Sequence, residues 1–200
     1  MAAKNLVCHT LKDGRDWREV LMLLRDEVAV DWQGQKLSNP YRFAIGKDSK
    51  YLTFVADVPF EPPVSKPDLK GRFVNDLAEP ETRGQTAELF VMGADDRYFE
   101  IHITPDGAWW YMNFLAYRKR DARSVPPDAE VWVERRSDSW TGAISLPLAQ
   151  LGTEISRGIR AQVTLCLCQQ DVPRYVTSAG CPDFEADYHD RRAFSFLKFK

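Results

Sequence analysis

The chain has 200 residues, of which 44% are hydrophobic and 28% charged; this ordinary globular usage excludes wholesale disorder, and with no composition break or linker the chain reads as a single domain, 1–200. No apolar run approaches the roughly 20 residues of a membrane helix. With 27 Lys+Arg against 29 Asp+Glu the net charge is -2, so no whole-chain field gathers phosphates, and neither a nucleic-acid nor a membrane partner is expected.

The first residues, Met1 to Thr10, run directly into Lys12, Asp13, Arg15 and Asp16. They contain no apolar core of about 7 to 15 residues as in a secretory signal, so a cytoplasmic chain is expected. Leu6 to Thr10 reads as a first strand. Between Asp16 and Glu27, Trp17, Val20, Leu21 and Leu24 have helical spacing, which predicts one short helix, after which Val28 to Trp32 alternates like a strand. Strands follow at Tyr41–Ile45 and Tyr51–Val58. The long segment from Pro59 to Gln85 carries Pro59, Pro62, Pro63, Pro67 and Pro80, which cannot sit in central strands. It reads as a loop that closes over a ligand. Further strands are expected at Thr86–Met92, Arg97–Ile103, Ala108–Arg118, Glu130–Arg136, Trp140–Leu146, Ala161–Cys168 and Ala193–Phe199. Pro147 to Gly152 makes a helical turn, with Pro suited to its start and Gly to its stop. Many short strands bounded by Gly, Pro, Asn and Asp predict an all-β protein. The expected architecture is an antiparallel two-sheet β-sandwich of immunoglobulin-like layout, with one short helix or helical turn.

The sharpest local signal is Thr104-Pro105-Asp106-Gly107-Ala108. Pro presets the first turn position and Gly accepts a left-handed one, giving a three-residue hairpin loop closed by a bulge. In that register Ile103 faces Trp109, His102 faces Trp110, Ile101 faces Tyr111 and Glu100 faces Met112. One face of the hairpin, with Phe99, Ile101, Ile103, Trp109 and Tyr111, is core. The other mixes Tyr98, Glu100, His102, Trp110, Met112, Phe114 and, further along, Arg118. A slip of one residue would exchange Trp110 for Trp109 on this mixed face.

Aromatic rings beside a carboxylate and a guanidinium suit a sugar, whose hydroxyls need polar partners while its C–H face stacks on a ring. The candidate ligand-binding residues are therefore Glu88, Glu100, His102, Trp110 and Arg118. The competing reading has the aromatics packed under a loop and Glu100 paired with an arginine. Glu88 and Glu100 on neighbouring strands could also form a general acid and base. Strand-borne carboxylates are normally matched to donors and stay ionised, so no catalytic residue is assigned and the protein is expected not to be an enzyme. No nucleophile elbow, phosphate loop, dinucleotide fingerprint or paired-histidine zinc motif occurs.

Of the four cysteines, Cys166 and Cys168 share a strand face, while Cys8 and Cys181 stand apart; buried free thiols are expected, and no metal ligand is assigned. Asp183, Glu185, Asp187 and Asp190 are spaced in a way similar to a calcium loop but lack its central Gly and final Glu, and read as a solvated acidic loop. Arg118, Lys119, Arg120, Arg123, Arg135 and Arg136 are diluted by acidic neighbours and read as charged surface.

Five segments together resemble the carbohydrate-binding family 9-like proteins of the wider DOMON-like β-sandwich group: Tyr51–Val58 (YLTFVADV), Gln85–Met92 (QTAELFVM), Tyr98–Trp110 (YFEIHITPDGAWW), Trp140–Gly152 (WTGAISLPLAQLG) and the ending Pro182 to Phe199. The resemblance implies a DOMON-like sandwich that binds a saccharide or similar polar small molecule without catalysis. The chain departs from the family where Pro-Asp-Phe-His is usual, reading Pro182-Asp183-Phe184-Glu185 with His189 displaced. The group also suggests two alternatives, a b-type haem held by His102 with Met112 or Met92, and a sandwich with no ligand of its own.

Overall fold

The computed structural model describes residues 5–60, 85–156, 158–169, 172–179 and 185–200. Its strands are β1 (Leu6–Thr10), β2 (Asp26–Val30), β3 (Lys36–Lys47), β4 (Tyr51–Pro59), β5 (Thr86–Met92), β6 (Tyr98–Ile103), β7 (Trp109–Ala116), β8 (Lys119–Arg120), β9 (Glu130–Arg135), β10 (Ser139–Pro147), β11 (Arg160–Gln169), β12 (Val172–Thr177) and β13 (Ser195–Phe199). One helix, α1 (Trp17–Leu21), and 3-10 turns at Leu148–Gln150 and Arg191–Ala193 complete the described elements. Strands β8-β7-β6-β5-β11 form one sheet, with β12 on its margin, and β1-β3-β4-β10-β9, with β2, form the other; β13 joins the two between β11 and β1.

The sandwich is mixed rather than wholly antiparallel. Pairing around β4, β5, β6 and β10 is antiparallel, but β1 lies parallel to both β13 and β3. The reason is connection length: α1 and β2 fill the excursion from Thr10 to Lys36, and only a crossover that long returns the chain in the same direction. Two further strands escape the alternation rule. The early part of β3 is polar and carries Pro40, and β12 carries Pro173, which a strand tolerates at a sheet margin.

Period-two alternation sorts the side chains. Leu52, Phe54, Ala56 and Val58 of β4 meet Trp140, Ile144 and Leu146 of β10, and all face Leu89, Val91, Phe99, Ile101, Ile103, Trp109 and Tyr111 of the opposite sheet in one buried cluster. The other face of β3, β4 and β10 offers Ala44, Val55 and Ala143 to α1, whose Val20 is wholly buried there. Asp16 caps that helix by accepting from the Arg18 backbone N–H at 3.0 Å. Residues 61–84, within the expected long loop, lie outside the described residues.

Cys8 and Cys166 are buried and in no disulfide, as expected; the side chain of Cys168 and all of Cys181 lie outside the described residues. Burial pushes the Cys8 thiol up to about 12, which leaves about one thiol in ten thousand ionised at pH 8. The Cys8 peptide is therefore expected to stay unmodified by iodoacetamide at pH 8 in folded protein and to be alkylated in urea. Rapid modification without denaturant would place Cys8 outside the core.

Candidate functional site

The hairpin between β6 and β7 has the register read from its turn: Ile103 opposes Trp109, His102 opposes Trp110, Ile101 opposes Tyr111 and Glu100 opposes Met112. Gly107 takes φ 80, and the Gly107 and Thr104 backbone N–H groups close the loop onto Thr104 and Ala108 carbonyls at 3.0 and 2.9 Å. This register puts Trp110 on the mixed face and sends Trp109 into the core.

The mixed face is the outer face of its sheet and is covered. Phe90, Met92, Tyr98, Trp110 and Phe114 pack with Phe194, and Tyr188 leans against them. Tyr98 stacks on its cross-strand partner Phe114 with ring centroids 4.5 Å apart. The cover is the chain leading into the 3-10 turn at Arg191–Ala193. Arg191 ties it down through Asp96 at 2.8 Å, an aspartate that also holds Arg160 at 3.2 Å from the turn before β6.

Under this cover lie Glu88, Glu100 and His102, which are only 3%, 4% and 2% exposed. His102 Nε2 is 2.5 Å from Glu100 Oε1 and 3.7 Å from Glu88 Oε1. The Glu88 carboxylate also accepts from Thr86 Oγ1 at 2.8 Å and Thr164 Oγ1 at 2.6 Å. The second Glu100 oxygen, Oε2, is buried without a hydrogen-bond partner.

An open-sided pocket of ≈ 200 Å³ enters this region, lined by Glu100, Trp110, Phe114, Arg118, Arg120 and His189. Trp110 is 1% exposed and forms its wall, with the Arg120 guanidinium 5.5 Å from its ring centroid. Arg118 stands at the rim with its side chain 57% exposed, donating to Asp187 Oδ1 at 2.9 Å. The five residues singled out from the sequence thus separate: Glu100, Trp110 and Arg118 reach the pocket, whereas Glu88 and His102 lie behind Glu100. Asp187 and Asp190 are engaged by Arg118 and Arg192 respectively, Glu185 is exposed, and Asp183 lies outside the described residues.

Arg120, read from the sequence as charged surface, lines the pocket, and a second pocket residue that sequence reasoning missed is His189. It reaches the face only because the chain returns over it from more than sixty residues beyond β8, and no local spacing signals that return. The Tyr98 hydroxyl accepts the Arg118 backbone N–H at 3.1 Å and meets His189 Nδ1 at 2.8 Å. In the tautomer where the hydroxyl donates to Nδ1, the neutral ring carries its proton on Nε2. Burial holds Tyr98 above its ordinary value, so this donor stays protonated. His189 Nε2 then faces Glu100 Oε2 across 4.0 Å.

Burial lowers the His189 pKa below 6.5 against the opposing pull of Glu100. Below pH 6.5 the unfolded chain therefore binds more protons than the folded one, so this contribution to stability is complete above pH 6.5 and is lost as pH falls through it. The urea midpoint is expected to fall between pH 7 and pH 5. His9, also lowered chiefly by burial, acts in the same direction. Replacing His189 by Gln isolates its share, and an unchanged pH dependence in H189Q would show that His189 is not buried as described.

No family model and no curated protein matches the chain in sequence. Its fold is nevertheless that of solved structures along nearly the whole length. A Bacteroides uniformis protein to which carbohydrate binding has been ascribed superimposes with a TM-score of 0.70 at 14% identity, covering 98% of this chain and 99% of that one. A family 9 carbohydrate-binding module from Caldicellulosiruptor kristjanssonii, in complex with cellotriose, gives 0.62 at 11% identity over 98% and 94% of the two chains. A structure of a family 9 module from the same organism with glucose gives 0.59 at 11% identity over 98% and 96%. The chain thus has the β-sandwich fold of family 9 modules, in agreement with the five resembling segments.

Proposed function

We propose that the protein is a non-catalytic carbohydrate-binding module whose pocket takes one sugar ring. The observation that carries this reading is the 4.0 Å gap between His189 Nε2 and Glu100 Oε2. The distance is too long for a hydrogen bond, so the imidazole and the carboxylate, which both line the pocket, are not paired with each other there. A sugar hydroxyl donates and accepts at once and satisfies both, while Trp110 and Phe114 meet its C–H surface and Arg118 and Arg120 take outer hydroxyls. The fold shared with modules crystallised with glucose and cellotriose supports the ligand class.

Size limits the ligand and its affinity. At ≈ 200 Å³ the pocket is smaller than the roughly 300–1,000 Å³ of sites for drug-sized molecules, so further units of an oligosaccharide would project into solvent. About twelve non-hydrogen atoms at about 0.3 kcal/mol each give close to 4 kcal/mol, which corresponds to a Kd of about 1 mM. A catalytic role for the carboxylates is disfavoured because Glu88 is held on both oxygens by threonines, lies behind Glu100 and does not line the pocket.

The test is calorimetric titration with glucose, cellotriose and a panel of other mono- and disaccharides at millimolar concentration. Binding of at least one sugar is expected, and Arg118→Ala should weaken it by about tenfold, because an exposed rim arginine can be removed without disturbing the core. Trp110→Ala is a poor probe of binding: emptying so buried a site costs about 3–5 kcal/mol of stability. Absence of heat across the panel from folded protein would overturn the proposal.

A further inference from the structure

We propose that Glu88, Glu100 and His102 form a binding site for a divalent transition-metal ion of the zinc or manganese type, behind the pocket. This inference goes beyond the saccharide reading and does not depend on it. One oxygen from each glutamate and one imidazole nitrogen all lie within 4.8 Å of one another, and all three residues are buried. Ligand atoms around a tetrahedral ion at about 2.1 Å are about 3.4 Å apart. The observed spacings of 2.5 Å and 3.7 Å from His102 Nε2 to the two carboxylates bracket that value. Small side-chain adjustments open the triangle to the size required.

Charge supplies the second reason. Two carboxylates are removed from water here, and among the described residues the only nitrogen bases within 4.0 Å of them are imidazoles, His102 and His189. Carboxylates taken out of water are disfavoured unless they are paired. Glu100 Oε2 is buried and has no hydrogen-bond partner among the described residues. A divalent cation between the Oε1 atoms and Nε2 gives both carboxylates a cationic partner.

The surroundings are those of a supported metal site. Thr86 and Thr164 donate to the two oxygens of Glu88 and fix its plane. The Trp110 ring, 4.8 Å from the His102 ring, closes one side against water. Such outer partners orient ligands and strengthen binding. One imidazole nitrogen with two carboxylates suits Zn²⁺, Mn²⁺ or Fe²⁺, whereas Ca²⁺ selects oxygen-only cages.

The test uses the full chain treated with a chelator, gel-filtered, and titrated with Zn²⁺ or Co²⁺ in the absence of sugar. One ion per chain is expected, with visible absorption bands from Co²⁺. Glu88→Gln and His102→Gln should each weaken binding by about 100-fold or more, with an unchanged far-ultraviolet CD spectrum. Neither residue lines the pocket, so sugar binding by these variants, or its absence in the parent protein, reports separately on the saccharide reading. If a variant fails to fold, imidazole ¹⁵N shifts of the parent protein decide: zinc should move His102 and leave His9 in place. Absence of one-to-one binding by folded protein, binding undiminished in both variants, or zinc-induced shifts at His9 instead of His102 would each overturn the site.

Discussion

Trp140→Ala is expected to lower stability by about 3–5 kcal/mol, which for a domain of this size corresponds to a fall in Tm of about 6–20 °C. Trp140 is wholly buried between the sheets, with Leu52, Phe54 and Val58 of β4 among its cluster. Two losses combine. Removing the indole leaves a cavity that the flanking strands cannot fill, because β4 and β10 are locked in a nine-residue ladder from Ser139–Pro59 to Pro147–Tyr51. It also strands Gln85, whose Oε1 accepts the indole N–H at 3.1 Å while its Nε2 donates to the Pro59 carbonyl at 3.1 Å. Trp140→Phe separates the effects. It keeps most of the packing and should lose about 1–3 kcal/mol, mainly from a buried amide left without its donor. Thermal unfolding of the two variants measures both; equal small losses would mean that Trp140 does not sit in a tightly packed interior.

Glu100→Gln is expected to produce the largest loss of sugar binding at a small change in stability. Glu100 lines the pocket and its Oε2 is buried without a hydrogen-bond partner, and a hydrogen bond to a buried carboxylate contributes about 1.5–3 kcal/mol. Losing it weakens affinity by about 10- to 150-fold. Glutamine fills the same volume, and its amide group, if turned to the pocket, would oppose the His189 N–H with a second donor. Because the buried volume is kept, Tm should stay within a few degrees of the parent value. Measuring chelator-treated protein keeps the effect on sugar apart from any effect on a metal ion. A variant that binds sugar as well as the parent would show that Glu100 does not recognise the ligand.

The parts of this fold and site visible in the sequence were those governed by local rules. The Pro-Asp-Gly turn fixed the β6–β7 register, and through it the separation of Trp109 from Trp110 and the mixture of aromatic and ionisable side chains on one face. Alternation in 86–92 and 98–103 marked strands, although both are buried on both faces. What the sequence did not reveal depends on distant chain segments. The parallel pairing of Leu6 with Leu197 joins the two ends of the chain, and nothing near either residue specifies it. The position of His189 against Tyr98 arises in the same way, 91 residues apart. Arg118, expected on the mixed face, lines the pocket, but its left-handed backbone, φ 53, and its pairing with Asp187 needed the folded turn between β7 and β8. The sequence also left open whether the mixed face is bare or has its aromatics packed under a loop; the cover anchored by Arg191 and Phe194 buries most of it beside the pocket.

The most direct test of the saccharide site is a map of ¹H–¹⁵N chemical-shift changes as glucose, cellotriose or another sugar that gives calorimetric heat is added to folded protein. The account predicts that the changes concentrate at Glu100, Trp110, Phe114, Arg118, Arg120 and His189, with the Trp110 indole N–H moving more than those of Trp17, Trp132 and Trp140. A map centred instead on the stacked Trp17–Trp132 pair outside the opposite sheet, or one without changes at millimolar sugar, would contradict it.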